Sequence, residues 1–288
     1  MTGTFTLGVD LGGTGTRVVA LDAGGAVIRQ ASFRTATGAP DAAVPGLLAE
    51  LDALADGLEV TAAGIGASGP VTAEGIIDNP ATLPAYTGVD ICAFTEKVTG
   101  WRCVIDNDAA AAAIGEYAYG AGRGSRTCVT VTLGTGIGVA VVTGGQLFRA
   151  GDGTHPEAGH LAVPDAPVPC YCGLARCWEQ AASRAALEGL TSGDPATAAA
   201  AARRGEPGPV AAFALYGQRL AAGLGTLLTV FRPDRVVLGG SAARYLDLFA
   251  PALAAGLDHD APYQWTPPVV PAELGDLAGA VGAAVLAR

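Results

Sequence analysis

The sequence predicts an α/β fold arranged in two lobes. The chain has 288 residues, which exceeds the usual size of one domain and favours one large or two medium domains. A strand pair around a glycine-rich turn occurs at the start of the chain and again near its middle, which indicates a duplicated fold. Alanine-rich stretches, typical of helices, accompany the strands.

The composition excludes several classes of partner. Hydrophobic residues make up 50% of the chain and charged residues 15%, but 42 glycines and many alanines account for much of this, as in a soluble α/β enzyme. Seventeen basic residues against 27 acidic ones give a net charge of −10. This balance argues against nucleic acid or an anionic membrane as the main partner and favours a small polar substrate.

No segment is typical of a membrane span or a secretion signal. The longest apolar run, Cys128 to Thr143, is interrupted by glycine and threonine, and the start, MTGTFTLGVD, has no basic n-region. We therefore expect a cytoplasmic protein. In a reducing compartment Cys92, Cys103 and Cys128, which show no framework spacing, are expected to be core thiols.

The first glycine turn, DLGGTGT, lies between the first two of three expected strands. Its glycines let backbone N–H groups approach a phosphate, Thr14 adds a hydroxyl, and Asp10 can reach the magnesium of that phosphate through water. An ordinary tight turn is the alternative. The three strands are expected at Thr4 to Asp10, Gly15 to Asp22 and Val27 to Thr35.

The second glycine turn lies in Thr127 to Val142, with LGTGIG at its bend. Two such turns can bind one polyphosphate between lobes. Val236 to Ser241, VVLGGS, is predicted to be a buried strand whose two glycines can place a nucleotide base or ribose against the backbone.

The segment Val104 to Tyr117 changes from a buried strand to an alanine-rich helix at Asp106, Asn107 and Asp108. A helix cap is the usual explanation for such residues. Two acids and an amide exceed what one cap needs, so one of them can act as a base.

The remaining predicted elements are regular. We expect a strand at Ala62 to Ala67 leading to the Ser68 to Pro70 turn, a loop at Asp78 to Tyr86, and helices at Asp41 to Leu58, Arg184 to Gly193, Ala196 to Arg204, Pro209 to Phe231 and Leu274 to Leu286.

Three of the six cysteines and one histidine lie between two carboxylates, Glu157 and Glu179. Three thiolates and an imidazole form the ligand set of a closed structural zinc site, and the C-x-C-G spacing lets a tight turn direct two sulfurs at one ion. Scattered buried thiols are the alternative. The four candidate ligands are His160, Cys170, Cys172 and Cys177.

Taken together, the motifs D-L-G-G-T, N-D-A with a following G-E, L-G-T-G-I-G, E-x-G-H and C-x-C-G-x-x-x-C-x-E resemble the ROK family of sugar kinases and sugar-responsive repressors. The resemblance spans Leu7 to Gly282. It implies a two-lobed, actin-like ATPase (ribonuclease H-like) fold with a central cleft, ATP with Mg²⁺, a structural Zn²⁺ and a homodimer. It also implies a smaller lobe of residues 1–106 plus about 276–288, and a larger lobe of residues 107–275 that holds the zinc loop.

The resemblance assigns expected roles to individual positions. Asp108 matches the catalytic base. By this resemblance, sugar contacts are expected from Asn107, Asp108, Glu157, His160 and Glu179; Ser68 and Gly69 join them because their turn is a candidate wall of the cleft. Nucleotide and phosphate contacts are expected from Asp10, Gly12, Gly13, Thr14, Gly134, Thr135, Gly136, Gly239 and Gly240, and zinc ligation from His160, Cys170, Cys172 and Cys177.

Two departures from the family pattern lie near the expected sugar site. The run Thr82 to Tyr86, TLPAY, stands where many family kinases have N-x-P-G-W, and Arg176 stands where a glycine usually precedes the last cysteine. The expected reaction is phosphorylation of a hexose or hexose derivative at the 6-hydroxyl. Glucose or an aminosugar such as kanosamine is favoured over N-acetylmannosamine or fructose, and Asp78 is a candidate contact for an amino group.

Three alternatives remain open at this point. A ROK repressor core is disfavoured because the first turn lies close to the start of the sequence and the charge is negative. A non-catalytic sugar sensor is disfavoured by Asp108 and both glycine turns. A glucokinase that uses polyphosphate as donor is the third alternative, although VVLGGS favours a nucleotide.

Overall fold

The computed structural model describes residues 3–258 and 265–288, and it confirms the expected α/β class. Ten strands and nine α-helices fall within these residues. The strands are β1 (Thr4–Leu11), β2 (Gly15–Leu21), β3 (Val27–Arg34), β4 (Glu59–Ala67), β5 (Arg102–Asn107), β6 (Thr127–Leu133), β7 (Ile137–Thr143), β8 (Gln146–Leu147), β9 (Arg235–Gly239) and β10 (Val269–Pro271). The helices are α1 (Pro40–Ala55), α2 (Ile91–Thr99), α3 (Asp108–Tyr119), α4 (Trp178–Ala182), α5 (Arg184–Leu190), α6 (Pro195–Arg203), α7 (Pro207–Phe231), α8 (Leu246–Leu257) and α9 (Ala278–Leu286).

The two sheets repeat one strand order. In the first sheet the order is β3-β2-β1-β4-β5, with β1, β2 and β3 antiparallel and β1, β4 and β5 parallel. In the second sheet the order is β8-β7-β6-β9-β10, where β7 and β8 are antiparallel and β6, β9 and β10 are parallel. The two glycine turns join β1 to β2 and β6 to β7, so each turn occupies the same place in its sheet.

The core of the first sheet is built from alternating strand residues and the apolar face of α1. Leu7, Val9 and Ile65 are fully buried in the sheet, and Leu47 and Leu51 of α1 belong to the same hydrophobic cluster. The sequence predicted that this helix would end at Leu58, but α1 ends three residues earlier, at Ala55. The reason is that Gly57 adopts a φ of 69° and the chain then enters β4.

The last helix, α9, packs closely against β1, β4 and α3 because small residues line the contacts. A Cβ atom at Gly8 would lie 1.9 Å from the Ala280 carbonyl oxygen, and one at Gly282 would lie 1.6 Å from the Ala111 carbonyl oxygen. Backbones that approach this closely leave no room for side chains. The alanine and glycine content of these helices therefore reflects close packing as well as helix propensity.

A buried carboxylate ties the loop before α9 to the end of α3. Glu116, which is 1% exposed, accepts hydrogen bonds from the backbone N–H groups of Ala121, Glu273 and Leu274 at 2.8 to 3.1 Å. Because every bond comes from the backbone, this glutamate has a structural role that the G-E motif alone does not reveal.

Residue contacts divide the chain into two compact units. The first unit comprises residues 1–124, 140–156 and 273–288, and the second comprises residues 125–139 and 157–272. Helix α3 packs against α9 and β4 and belongs to the first unit. The expected lobe boundary at residue 107 stays a prediction.

Two features of the helices complete the description. Helices α2, α4 and α8 were not expected from the sequence; α2 begins at a capping Asp90 whose side chain accepts from the Ala93 N–H at 2.8 Å. Within residues 3–258 and 265–288, no helix combines the length and the apolar character needed to cross a bilayer.

Candidate functional site

The first glycine turn is braced by hydroxyl side chains. The Thr35 hydroxyl donates to the Gly12 carbonyl at 2.5 Å and contacts the Thr16 hydroxyl at 2.9 Å. A Cβ atom at Gly13 would lie 2.3 Å from the Thr82 methyl group. Thr14, at the tip, is exposed. The turn is therefore closely backed on one side, with its threonine facing solvent.

Asp10 lies at the base of this turn, near the end of β1. Its carboxylate pairs with Arg17 at 3.6 Å. Burial raises the pKa of Asp10 and the nearby Asp276 charge adds to this effect, whereas Arg17 opposes it. A partly buried carboxylate beside a glycine turn is a suitable outer ligand for a hydrated Mg²⁺.

The Ser68–Gly69 turn after β4 is held by two asparagine side chains. Asn79 Nδ2 donates to the Ser68 carbonyl at 2.8 Å, and Asn107 Nδ2 donates to the Gly69 carbonyl at 3.0 Å. Gly69 has a φ of 88°, which favours glycine. Asn79 was not predicted as a site residue; its only signal in the sequence was a loop rich in turn formers.

The three polar residues between β5 and α3 have different partners. Asp106 is buried, and Arg149 holds it through two hydrogen bonds, one of them 2.9 Å between Nη1 and Oδ1. Asn107 caps α3, because its Oδ1 accepts from the N–H groups of Ala109 and Ala110 at 2.8 and 3.2 Å. Asp108 begins the helix and accepts from the Ala109 N–H at 2.8 Å.

Arg149 and His155 are polar residues of the first unit that the sequence did not single out. Burial and the Arg149 charge lower the pKa of His155 to about 4, while the Asp106 charge works against this. His155 is therefore neutral near pH 7. No local motif marks either residue, because each meets Asp106 only through the folded chain.

The second glycine turn is backed by a carboxylate. Glu179, which is 8% exposed, accepts from the Ile137 N–H at 3.2 Å, and a Cβ atom at Gly136 would lie 2.2 Å from its Oε2. Gly134 is closed by its N–H bond to the Gly136 carbonyl at 3.0 Å, and Thr135 at the tip is exposed. The turn therefore packs directly against Glu179, which is also an expected sugar contact.

The glycine pair after β9 lies beside the end of β6. Gly239 pairs with Thr132 in the parallel register, and Gly240 has a φ of 80°. A Cβ atom at Gly240 would lie 2.6 Å from three backbone atoms of Leu133. Both the backbone angle and the close approach therefore require glycine here.

The four predicted metal ligands come together. The ligand atoms of His160, Cys170, Cys172 and Cys177 all lie within 4.8 Å of one another. His160 Nδ1 is 3.3 Å from the Cys177 sulfur and 3.7 Å from the Cys170 sulfur. Three sulfurs and an imidazole nitrogen at this spacing suit a tetrahedral zinc ion.

Glu157, one of the carboxylates that bracket these residues, interacts with both His160 and Glu179. Burial raises the pKa of Glu157 and the Glu179 charge adds to this, whereas His160 lowers it. His160 directs Nδ1 toward the sulfurs and Nε2 toward the Tyr171 hydroxyl, 3.1 Å away. Tyr171 was not predicted as a site residue.

The departures from the family pattern have local explanations. Tyr86 is 1% exposed and belongs to the first core, so its phenol packs inside the first unit. Arg176 donates to the Pro164 carbonyl at 2.8 Å, and its φ is not positive, so glycine is not required there. Thr82 contacts the first glycine turn, and Asp78 is exposed.

The expected site residues therefore gather within each unit. The first unit brings together the first glycine turn with Asp10 and, around the ends of β4 and β5, Ser68, Gly69, Asn107 and Asp108. The second unit brings together the second glycine turn, the β9 glycines, Glu157, Glu179 and the metal ligands.

Known proteins share this fold over nearly the whole chain. A ROK family glucokinase from Streptomyces griseus, solved in complex with glucose and AMPPNP, matches with a TM-score of 0.81, 32% identity and 99% coverage of each chain. The ROK hexokinase from Thermus thermophilus matches with a TM-score of 0.84 and 30% identity, covering 98% of this chain and 97% of that one. The fold is thus the actin-like ATPase fold of these sugar kinases.

Sequence comparisons give the family. The ROK family profile matches residues 6–288. The glucokinase of Streptomyces coelicolor is 32% identical over 99% of this chain and 98% of its own length. The kanosamine kinase of Amycolatopsis mediterranei is 31% identical over 98% of this chain and 96% of its own length. The chain belongs to the ROK family.

Proposed function

We propose that this protein is an ATP-dependent sugar kinase that phosphorylates a hexose or hexose derivative at the 6-hydroxyl. The observation that carries the proposal is the placement of Asp108 at the first position of α3, directly after the capping Asn107 and beside the Ser68–Gly69 turn. Full-length similarity to glucokinases and to a kanosamine kinase supports it.

In this proposal Asp108 is the general base. A sugar hydroxyl is a poor nucleophile at neutral pH, so a carboxylate must accept its proton as the bond to the γ-phosphorus forms. The position of Asp108 is fixed by its neighbours. Asp106 is held by Arg149 and also accepts from the Asn107 N–H at 2.8 Å, so the segment before Asp108 is rigid.

Sugar recognition is assigned to amide and carboxylate groups. Asn107, Glu157, His160 and Glu179 present acceptors and donors that can each bind sugar hydroxyls, together with the Ser68–Gly69 turn. A site of this kind discriminates strongly, because a missing hydroxyl leaves a buried polar group unpaired.

Phosphate binding is assigned to the two glycine turns. Their backbone N–H groups can face phosphate oxygens, and Thr14 and Thr135 at the tips add hydroxyls. When bound, Mg²⁺ neutralises charge on the transferred phosphoryl group, and Asp10 would hold its water shell. Gly239 and Gly240 are assigned to the nucleoside.

We assign a structural zinc ion to His160, Cys170, Cys172 and Cys177. Four protein donors leave no open position, so these residues supply stability and shape to the loop that carries Glu157 and Glu179. The homodimer and the cytoplasmic location also stay predictions, the first to be checked by light scattering of the purified protein.

The test is an ADP-release assay against hexoses, N-acetylhexosamines and aminohexoses, with ATP and with inorganic polyphosphate as donors. Asp108→Asn should lower turnover by roughly 10²- to 10⁴-fold while sugar binding stays close to that of the parent. Asp56→Asn, at an exposed position, is the matched control. Turnover by Asp108→Asn equal to that of the control would contradict the assignment of the base.

An aminosugar substrate has its own test. If exposed Asp78 binds an amino group, Asp78→Ala should lose turnover of the aminosugar and keep turnover of the parent sugar. Equal turnover of both sugars by this variant would remove the idea.

A further inference from the structure

Tyr171 is the one exposed tyrosine of the cysteine loop, and it is oriented in an unusual way. The residue is 82% exposed, so its ring makes few contacts. Its hydroxyl nevertheless lies 3.1 Å from His160 Nε2, and the two rings meet edge to face with centroids 5.2 Å apart. An exposed phenol usually leaves its hydroxyl in water, so this arrangement calls for an explanation.

The hydroxyl also lies near both carboxylates that bracket the cysteine loop. The charges of Glu179 and Glu157 both act on it. With Nδ1 of His160 facing the sulfurs, Nε2 is the nitrogen that can carry a proton. The Tyr171 hydroxyl therefore accepts from His160 Nε2.

A sugar hydroxyl oxygen can accept from the same N–H group. His160 is one of the groups to which the proposed function assigns sugar binding. A sugar hydroxyl and the Tyr171 hydroxyl cannot occupy the same place beside His160 Nε2. The aromatic ring has few contacts to hold it there, so it can move aside at little cost.

We infer that Tyr171 sets the affinity of the site for sugar by occupying the position beside His160 Nε2 that one sugar hydroxyl takes when the substrate binds. The inference rests on the proposed function. Sugar binding then exchanges the hydrogen bond between the phenol and His160 for the same bond to the substrate, and part of the binding free energy is used to displace Tyr171.

The experiment measures sugar binding by calorimetry without nucleotide, and kcat and KM with ATP, for the parent, Tyr171→Phe and Tyr171→Ala. Both variants should lower Kd and KM for the sugar by about 3- to 10-fold, the size of one net hydrogen bond, with kcat unchanged. Tyr119→Phe loses a phenol hydroxyl that accepts from Arg288, far from this loop in sequence, and is the matched control. Zinc content, measured by atomic absorption, should equal that of the parent.

The possible outcomes separate the two proposals. If the parent phosphorylates a sugar but Tyr171→Phe leaves Kd unchanged or raises it, the displacement role is wrong, and the proposed function stands. If the parent neither binds nor phosphorylates any sugar, both proposals fall. A third outcome would also contradict displacement: Tyr171→Phe binds sugar more tightly than the parent, but Tyr171→Ala binds it more weakly. The aromatic ring would then be a sugar contact.

Discussion

The two glycine turns have the same G-T-G core and the same place in their sheets, but different groups lie behind them. In the first turn, Gly13 is crowded by the Thr82 methyl group at 2.3 Å, whereas a Cβ atom at Gly15 would meet its nearest atom at 3.7 Å. In the second turn the pattern is reversed. Gly134 is open, with its nearest atom at 3.9 Å, and Gly136 is crowded by the Glu179 carboxylate at 2.2 Å.

The two turns are therefore not structurally equivalent, although the proposed function assigns phosphate binding to both. The first is supported by neutral hydroxyls and a methyl group, so its support is independent of charge. The second is supported by a buried carboxylate that the proposed function also assigns to the sugar. A disturbance of the second turn should therefore affect sugar binding, and a disturbance of the first should not.

The largest expected effect is loss of the proposed zinc ion, because α4, which carries Glu179, begins directly after the proposed ligand Cys177. Stripping zinc with a chelator should lower the Tm and weaken sugar affinity by at least about tenfold. Cys172→Ser should act in the same direction, whereas Cys92→Ser, which alters a cysteine outside the cluster, should retain zinc. Metal-free protein that bound sugar as tightly as before would break the link between the metal and Glu179.

The next effect is expected from Gly136→Ala. The added methyl must push the Glu179 carboxylate away from the Ile137 N–H, leaving buried polar groups unpaired. We expect a loss of about 1–3 kcal/mol in the free energy of unfolding and a raised KM for sugar. Urea denaturation and steady-state kinetics measure both. The equivalent Gly15→Ala should change stability by less than about 0.5 kcal/mol, and equal losses in the two variants would remove the contrast.

A smaller effect is expected from Gly13→Ala, whose methyl would meet the Thr82 methyl. We expect a loss of about 1 kcal/mol in the free energy of unfolding with the sugar KM unchanged. Thr82→Ser removes the opposing methyl, so the double variant should recover most of the loss. Gly134→Ala is the stability control from the second turn. If the Gly13→Ala, Thr82→Ser double variant were as unstable as Gly13→Ala alone, the contact with the Thr82 methyl group would not be the cause of the lost stability.

The smallest effect is the pH dependence of stability that His155 causes. This histidine lies in the first unit, near Asp106 and Arg149. The pKa of His155 is about 4 in the folded protein against 6.5 as its ordinary value, so the unfolded chain binds its proton first as pH falls. The contribution of neutral His155 is present above pH 6.5 and is lost as pH falls toward 4.

The parent should therefore lose roughly 0.7 kcal/mol more stability than His155→Gln between pH 7 and pH 6. Urea denaturation of the two proteins at both pH values measures this difference. Parallel stability profiles for the two proteins would contradict a half-buried, neutral histidine beside Arg149.

Features that depend on near neighbours in the chain could be predicted from the amino-acid sequence. The glycine turns, the cap at Asn107 and the spacing of Cys170 and Cys172 are local, because a turn or a helix start is specified by a few consecutive residues. The repeat of the strand–turn–strand pattern also indicated the duplicated sheet order.

The groups that support these local features come from distant parts of the chain and are visible only in the folded protein. Arg149 reaches Asp106 across 43 positions, and Glu179 reaches Ile137 across 42. Tyr171 lies within the cysteine loop, yet only the folded loop directs its hydroxyl to His160. Such contacts depend on how elements pack, and no spacing in the sequence records which side chain will meet a buried donor or acceptor.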